Sequence, residues 1–207
     1  IPTYETCGGD INDYISVDVR NFELCPRYVG RFVKNLRIKE SPNWLKRCLK
    51  EAGMRPISNI VDITNYVMLE YGQPMHAFDY RDIEGGKIIV RNAENGEKIT
   101  TLDEKEHTLN SEMLVIADAV KPSCLAGIMG GLNSEIKDDT VDLFLESAKF
   151  KRDNVRRTGR ALGIRTESSG RFEKGIDIVN VEYAMERALQ LISDLDAGDI
   201  IDGVIDR

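Results

Sequence analysis

The sequence has few of the features that mark metal sites, disulfide-stabilised folds or membrane spans. Its four cysteines, Cys7, Cys25, Cys48 and Cys124, are scattered without a C-x-x-C pair, and only two histidines could join them in a metal site. This spacing favours neither zinc nor a disulfide framework. No run approaches the roughly 18 consecutive apolar residues of a membrane-spanning helix, and the first residues do not resemble a signal peptide. We therefore expect a cytoplasmic protein without a membrane partner or a bound metal.

Familiar catalytic motifs are absent as well. The sequence contains no H-E-x-x-H zinc motif, no P-loop, no G-x-G-x-x-G fingerprint and no Ser-His-Asp order. It also has no internal repeat and no low-complexity linker. It lacks an initiating methionine, which predicts that the chain is a segment of a longer polypeptide.

The composition is that of a globular domain. Of the 207 residues, 42% are hydrophobic and 30% are charged, which is enough apolar material for a substantial core in one large domain or two small ones. We expect a single domain over residues 1–207, in which residues 1–14 form a poorly defined lead-in.

Charge is spread unevenly along the chain. The formal net charge of −7 argues against a general nucleic-acid-binding surface. Between Lys149 and Lys174, however, nine basic residues stand against three acidic ones, which gives +6 locally and −13 elsewhere. Such a patch can hold phosphates without making the whole domain bind nucleic acid. A solvated helix face is the commoner meaning of a charge run, and it stays open.

Hydrophobic periodicity predicts an α+β fold. Two strands are predicted near the start, and Ser41 followed by Pro42 predicts a helix N-terminus. A second helix is predicted to end before Gly72, followed by an irregular loop over 72–79. Short apolar runs from residue 87 to about 148 predict a mostly antiparallel sheet or barrel, and two late helices are predicted over 153–162 and 178–195. We therefore expect a β-rich, barrel-like or sandwich-like core with helices packed outside.

Glu146 is the most informative polar residue. Alternation with Leu143 and Leu145 places Glu146 on the same side of its strand as Phe144. If that side is interior, the carboxylate must be paired or form part of a pocket, because an unpartnered buried carboxylate is costly. If that side faces water, the position of Glu146 gives no information about function.

Four motifs together resemble one known family. The run from Arg55 to Glu70 continues into Gly-Gln-Pro-Met-His-Ala-Phe-Asp at 72–79, and is followed by Ala-Gly-Ile-Met-Gly-Gly at 126–131, Leu-Glu-Ser-Ala at 145–148 and a polar segment at 165–175. In this order they resemble the B3/B4 region of phenylalanyl-tRNA synthetase beta chains, from about Asn21 onward.

The resemblance implies a B3/B4 fold that edits. The domain would hydrolyse tyrosine mischarged onto tRNA(Phe) and would not carry out aminoacylation. Its partners would be the acceptor end of that tRNA, the alpha subunit and the remaining beta-subunit domains of an (αβ)2 heterotetramer. No cofactor is implied for this domain, since ATP and Mg²⁺ would bind elsewhere in the full synthetase.

The resemblance also implies roles for individual residues. Glu146 would receive the phenolic hydroxyl of tyrosine, and His76 would lie at the ester end, where it orients the terminal adenosine or water or acts as a general base. The other implied site residues are Thr64 and Asn65 at the amino-acid end, Gly130 and Gly131 closing the pocket, Thr166 and Ser168 in its wall, and Arg55 and Arg165 toward the tRNA.

Two other functions are compatible with parts of the sequence. One is a non-catalytic module that positions tRNA or stiffens a subunit interface, which needs the basic patch but not the pocket residues. The other is a free-standing tRNA-binding or editing homologue, against which the missing initiating methionine counts.

Overall fold

A computed structural model describes residues 2–207. The helices are α1 (Asn43–Glu51), α2 (Asn59–Tyr71), α3 (Arg152–Leu162), α4 (Glu167–Lys174) and α5 (Asn180–Asp194). The strands are β1 (Ser16–Val19), β2 (Arg27–Lys34), β3 (Met75–Asp79), β4 (Lys87–Asn92), β5 (Lys98–Thr100), β6 (Glu106–Thr108), β7 (Leu114–Ala117), β8 (Pro122–Leu125), β9 (Met129–Gly130), β10 (Leu143–Lys149), β11 (Asp199–Ile200) and β12 (Ile205–Asp206). None of the helices in this range has both the length and the hydrophobicity that a bilayer crossing requires.

Two five-stranded sheets form the β-rich part of the fold. In the first sheet the strand order is β1-β4-β7-β8-β9, and in the second it is β11-β2-β10-β3 with β12 also paired to β2. Strands β5 and β6 make a separate hairpin. In the described range both sheets are open, so the predicted α+β class is confirmed with sheets that do not close into a barrel.

Strand β10 is central to the second sheet, and the side chains on its two faces pack against different parts of the fold. It pairs antiparallel with β2 on one side and with β3 on the other. On one face the Ser147 hydroxyl donates to the carbonyl oxygen of Val181 in α5 at 2.8 Å. The opposite face carries Phe144 and Glu146, and there the Phe144 ring lies 6.5 Å from Tyr28 and 6.2 Å from Phe78. Successive side chains alternate between the faces of a strand, so Phe144 and Glu146 share a buried layer.

The predicted N-cap role of Ser41 is wrong. Helix α1 begins at Asn43, after Pro42, and Pro42 offers no side-chain cap. The Ser41 hydroxyl instead donates to Oδ2 of Asp62 in α2 at 2.6 Å, and the other oxygen of Asp62 accepts the backbone N–H of Ile57 at 2.8 Å. The Ser41 hydroxyl and the Asp62 carboxylate are both buried, so a hydrogen bond between them outweighs a cap on an exposed helix end.

The predicted loop over 72–79 is also wrong in its second half. From Met75 to Asp79 the chain forms β3, because β10 offers it a full antiparallel ladder. Only Gly72, which ends α2 with a φ of 70°, and the two residues after it remain irregular. Helices α3 and α5 begin and end within two residues of the predicted bounds.

Gly30 of β2 makes room for the buried aromatic layer. It pairs with Glu146 across the ladder, and a Cβ atom built on it would lie 2.2 Å from Cζ of Phe144. We expect Gly30→Ala to lower the free energy of unfolding by about 1–3 kcal/mol, because the Phe144 ring is fully buried and has no free space to move into. Urea denaturation measures the change.

Gly170→Ala is the matched control. Gly170 lies within α4 at negative φ, and a Cβ atom there would meet no heavy atom within 4 Å. Alanine should leave stability unchanged or raise it by up to about 1 kcal/mol, because alanine favours helices more than glycine. Equal stability changes in the two variants would contradict the packing argument.

Candidate functional site

A cavity lies between the two sheets, where β3 and β10 face β8 and β9. Most of its wall is apolar and comes from Ile116, Leu125, Ile128, Met129, Phe150 and Phe172. The titratable side chains in the lining are His76, Cys124 and Glu146. A small number of polar groups in a largely apolar cavity is typical of a binding site for a small organic group.

Register places His76 and Glu146 side by side. The two residues are directly paired in the β3–β10 ladder, so their side chains leave the sheet on the same face. Directly opposite side chains in an antiparallel pair have Cβ atoms about 4.5–5.5 Å apart. One ligand can therefore reach both groups.

Glu146 is buried with a single hydrogen-bond partner. The residue is 5% exposed, and Oε2 accepts a hydrogen bond from the hydroxyl of Tyr28 at 2.7 Å. Burial raises the pKa of Glu146 to about 8, although the Tyr28 hydrogen bond acts in the lowering direction. At pH 7 the carboxyl group is therefore mostly neutral. A hydrogen-bond donor that arrived from the cavity would favour the ionised form and lower the pKa.

His76 is neutral, and its hydrogen bonding defines a tautomer. Burial lowers the pKa of His76 to about 4. Its Nε2 lies 3.2 Å from Oγ of Ser134, whose own hydroxyl donates to the carbonyl oxygen of Gly131 at 2.9 Å. The arrangement that uses every hydrogen has Nε2–H donating to Ser134, which leaves Nδ1 as an acceptor. The site thus offers an imidazole acceptor beside a carboxyl group.

Gly130 and Gly131 have different surroundings. A Cβ atom at Gly130 would lie 2.7 Å from Cε1 of His76, so the missing side chain lets the imidazole ring lie against β9 in the cavity lining. A Cβ atom at Gly131 would lie 2.5 Å from the carbonyl oxygen of Ser123, which shows close backbone packing beside the cavity. The structure therefore places Gly130 in the lining and Gly131 just outside it.

The predicted wall residues Thr166 and Ser168 attach α4 to the turn at 126–128. Thr166 Oγ1 donates to the carbonyl oxygen of Ile128 at 2.8 Å, and Ser168 Oγ donates to that of Gly127 at 3.2 Å. Thr166 also caps α4 by accepting the N–H of Ser169. Of the two predicted residues, only Ser168 lines the cavity.

Thr64, Asn65 and Arg55 lie away from the cavity lining. Thr64 is buried on α2, where its hydroxyl donates to the carbonyl oxygen of Val61 at 2.7 Å, and Asn65 is half-buried beside it. Arg55 is exposed in the segment before α2. The structure does not bring these three residues to the group formed by His76, Glu146, Gly130 and Ser168, so their roles stay predictions.

Sequence reasoning missed Tyr28 and Ser134, the hydrogen-bond partners of the two polar side chains. Tyr28 lies in a strand that was predicted, and its alternation with Gly30 and Phe32 places it on one face of that strand. The hydrophobic pattern does not indicate which other strand contacts that face. Ser134 ends a short 3₁₀ turn, Leu132–Ser134, that carries no periodicity.

A basic groove lies between α3 and α4. It is lined by Arg156, Arg160, Arg165, Arg171 and Lys174, together with Thr166, Glu167 and Glu173. Arg171 pairs with Glu167 at 2.7 Å. Within residues 2–207 the first three arginines of that lining form no ion pair with a carboxylate. The charge run is thus gathered along one groove that reaches α4, the helix that also supplies Ser168 to the cavity.

Metal ligands do not cluster in the described range, where no three side chains of His, Cys, Asp or Glu come together in a way that could hold an ion. Cys124 lines the cavity, but burial raises the pKa of its thiol to about 12. It is therefore protonated at neutral pH, and a thiol of this kind is a poor nucleophile.

Comparison with known proteins points to one family. The sequence model of the B3/4 domain matches residues 24–197. The phenylalanine–tRNA ligase beta subunit of Clostridium tetani is 51% identical over 197 residues, which make up 95% of this chain and 25% of that protein. That of Carboxydothermus hydrogenoformans is 53% identical over 186 residues, or 90% of this chain and 23% of that protein. The chain spans about a quarter of the length of these curated relatives.

The buried carboxyl group should make stability depend on pH. Glu146 has a folded-state pKa of about 8 against an ordinary value of 4.5. The unfolded chain therefore loses this proton first, and the free energy of unfolding falls as pH rises from about 4.5 to 8. Glu146→Gln cannot ionise and can still accept the Tyr28 hydroxyl. We expect this variant to gain stability over the parent by a few kcal/mol at pH 8, at about 1.4 kcal/mol per unit of pKa difference.

Thermal or urea unfolding from pH 5 to pH 8.5 measures this difference. Glu51→Gln, on the exposed surface of α1, removes the same charge without a buried environment and should follow the parent curve. A Glu146→Gln curve parallel to that of the parent would show that Glu146 does not titrate between these pH values.

Proposed function

This chain belongs to the B3/4 domain family, and we propose that it is the amino-acid editing module of a phenylalanine–tRNA ligase beta subunit. In this proposal it hydrolyses the ester between tyrosine and tRNA(Phe) and does not catalyse aminoacylation. The observation that carries the proposal is the carboxyl group of Glu146 at the wall of an apolar cavity. One of its oxygens accepts a hydrogen bond from Tyr28, and the other has no hydrogen-bond partner in the described range.

Hydroxyl recognition explains why such a site discriminates. An apolar pocket for phenylalanine cannot strongly reject an amino acid that only adds a hydroxyl. A site built to bond that hydroxyl rejects the analogue lacking it by roughly 10⁴ to 10⁵. Phenylalanine in the cavity would displace water from Glu146 and leave the carboxyl oxygen without a partner, which costs free energy. Tyrosine would restore the hydrogen bond.

His76 supports the ester end of this reaction. Its neutral imidazole can accept a hydrogen bond at Nδ1 from the attacking water or from a ribose hydroxyl of the substrate. A pKa of about 4 makes it a weak proton acceptor at pH 7. Orientation of the attacking group is therefore its better-supported role, with water rather than a protein side chain as the nucleophile.

The groove between α3 and α4 suits the phosphates of the tRNA acceptor end. Thr166, the N-cap of α4, lies in the groove and Ser168, two residues later, lies in the cavity. An RNA strand held by Arg156, Arg160 and Arg165 would therefore pass close to the cavity, which in this proposal receives its 3′ end. Arginine is well suited to phosphate recognition because its guanidinium group is planar and always charged.

The wider setting follows from the same proposal. The chain would act in the cytoplasm beside an alpha subunit and the other beta-subunit domains of an (αβ)2 heterotetramer, with ATP and Mg²⁺ bound outside this domain. A non-catalytic module that positions tRNA is the alternative. The groove favours it as much as it favours editing, but that role does not call for His76 and Glu146 in one cavity.

Deacylation of charged tRNA tests the editing proposal. The complete ligase that carries this chain should hydrolyse Tyr-tRNA(Phe) and spare Phe-tRNA(Phe). We expect Glu146→Ala to lower tyrosyl hydrolysis by roughly 100-fold or more and to abolish the preference for tyrosine, because the hydroxyl loses its acceptor. His76→Ala should slow hydrolysis while the preference remains.

Glu51→Ala, on the exposed surface of α1, is the control and should match the parent. If the parent and both site variants leave Tyr-tRNA(Phe) equally intact, the editing proposal fails and the positioning role becomes the better account.

The salt dependence of RNA binding tests the groove. We expect the variant Arg156→Ala/Arg160→Ala to bind a tRNA(Phe) acceptor-stem hairpin more weakly and to lower the slope of log affinity against log salt concentration by about 1 for each lost phosphate contact. Fluorescence anisotropy over a series of KCl concentrations gives the slope. Arg47→Ala on α1 removes an exposed arginine outside the groove and should leave the slope unchanged; equal slopes in all three proteins would contradict the proposed phosphate contacts.

A further inference from the structure

Tyr28 is a fully buried tyrosine whose hydroxyl has one partner. It lies in β2, two residues before Gly30, and its ring is stacked on that of Phe144 at an interplanar angle of 13°. The hydroxyl donates to Oε2 of Glu146 at 2.7 Å. A buried hydroxyl without a partner costs free energy, so this bond determines where the Tyr28 oxygen and the Glu146 carboxyl group lie relative to each other.

The second carboxyl oxygen of Glu146 is in a different position. Oε1 makes no hydrogen bond within residues 2–207, and it is not among the buried polar atoms that lack a partner. Because Glu146 lines the cavity and Oε2 is taken by Tyr28, Oε1 is the carboxyl oxygen left for a ligand in that space. One carboxyl oxygen therefore accepts a hydrogen bond from the protein, and the other is available to a ligand.

We propose that Tyr28 is a specificity-determining positioning residue, whose hydroxyl holds Oε2 of Glu146 so that Oε1 alone, in a fixed direction, accepts the hydroxyl of a phenolic ligand. This inference rests on the proposed editing function. It assigns the discrimination between a phenol and a phenyl group to the Tyr28–Glu146 pair and not to the carboxylate by itself. Tyr28 acts through Glu146, and it is not a catalytic residue.

Among the groups around Glu146, Tyr28 is the one that can take this role. The other titratable groups that face the carboxyl are Cys25 before β2, Cys124 on β8 and His76 on β3. Burial raises the pKa of both thiols and lowers that of His76, so all three are uncharged at pH 7. No arginine or lysine pairs with Glu146 in the described part of the chain. The Tyr28 hydroxyl is therefore the group that favours ionisation of this carboxyl.

The experiment is Tyr28→Phe in the complete ligase that carries this chain. We expect the ratio of Tyr-tRNA(Phe) to Phe-tRNA(Phe) hydrolysis to fall by about 10-fold to 100-fold, which corresponds to the loss of one hydrogen bond to a charged group. The pH at which tyrosyl hydrolysis reaches half of its maximum should also rise, because the bond that lowers the pKa of Glu146 is gone.

Tyr80→Phe is the matched control. Its hydroxyl donates to the backbone carbonyl oxygen of Tyr14 at 2.6 Å, and Tyr80 lies outside the cavity lining. Tyr80→Phe makes the same chemical change and removes a similar hydrogen bond from the folded protein. The variant should nevertheless keep the selectivity and the pH profile of the parent. Circular dichroism of both variants confirms that they are folded.

A second measurement separates this inference from the editing proposal. In the chain without tRNA, Tyr28→Phe should move the pH-dependent loss of stability to higher pH, and in a Glu146→Gln background it should cause no such shift. A shift in stability together with a parent ligase that does not deacylate Tyr-tRNA(Phe) would overturn the editing function and with it the specificity role. A parent that edits, with a Tyr28→Phe variant of unchanged selectivity and pH profile, would overturn the role of Tyr28 alone. Equal loss of selectivity in Tyr28→Phe and Tyr80→Phe would also overturn it.

Discussion

Burial of one carboxyl group between two sheets is the constraint on which the rest of the site depends. Removing Glu146 from water is unfavourable for its ionised form, and the fold supplies only one hydrogen bond in return, from Tyr28. Most buried carboxylates have an arginine or lysine partner. Here no such partner is present within residues 2–207, so the group keeps a raised pKa and an open oxygen. A group held in this condition is poised for a ligand that brings the missing donor.

The architecture around Glu146 follows from placing it on a central strand. Because β10 pairs on both sides, its side chains have neighbours fixed by register: Gly30 on β2 and His76 on β3. Gly30 leaves space that the Phe144 ring fills, and the imidazole of His76 packs against the backbone of Gly130. The polar pair thus sits in a rigid frame of strands, which holds catalytic and binding groups more precisely than loops do.

The sequence predicted the parts of this arrangement that depend on local periodicity. Alternation along 143–146 placed Glu146 with Phe144, and apolar spacing predicted α1, α2, α3 and α5 to within a few residues, whereas α4 was not among the predicted helices. It could not predict that 75–79 would form β3, because a five-residue strand that follows a Gly-Gln-Pro turn gains its stability from β10, more than 60 residues away. The contact between Tyr28 and Glu146 is equally nonlocal, since it depends on which strands become neighbours.

The raised pKa of Glu146 bears on how a phenol could be selected. At pH 7 the empty site holds a mostly neutral carboxyl group, so a ligand hydroxyl that donates to Oε1 does so at the cost of releasing a proton. A phenyl group leaves the proton in place, but it removes water from Oε1 without offering a donor. Proton release reduces the gain from the hydrogen bond of a phenol, so discrimination depends on the penalty of desolvating Oε1 as well as on that hydrogen bond. Replacing Glu146 by a residue that is already ionised and well paired would remove this advantage, which explains why a lone buried carboxyl with a tyrosine partner is better suited to this task than an ion pair.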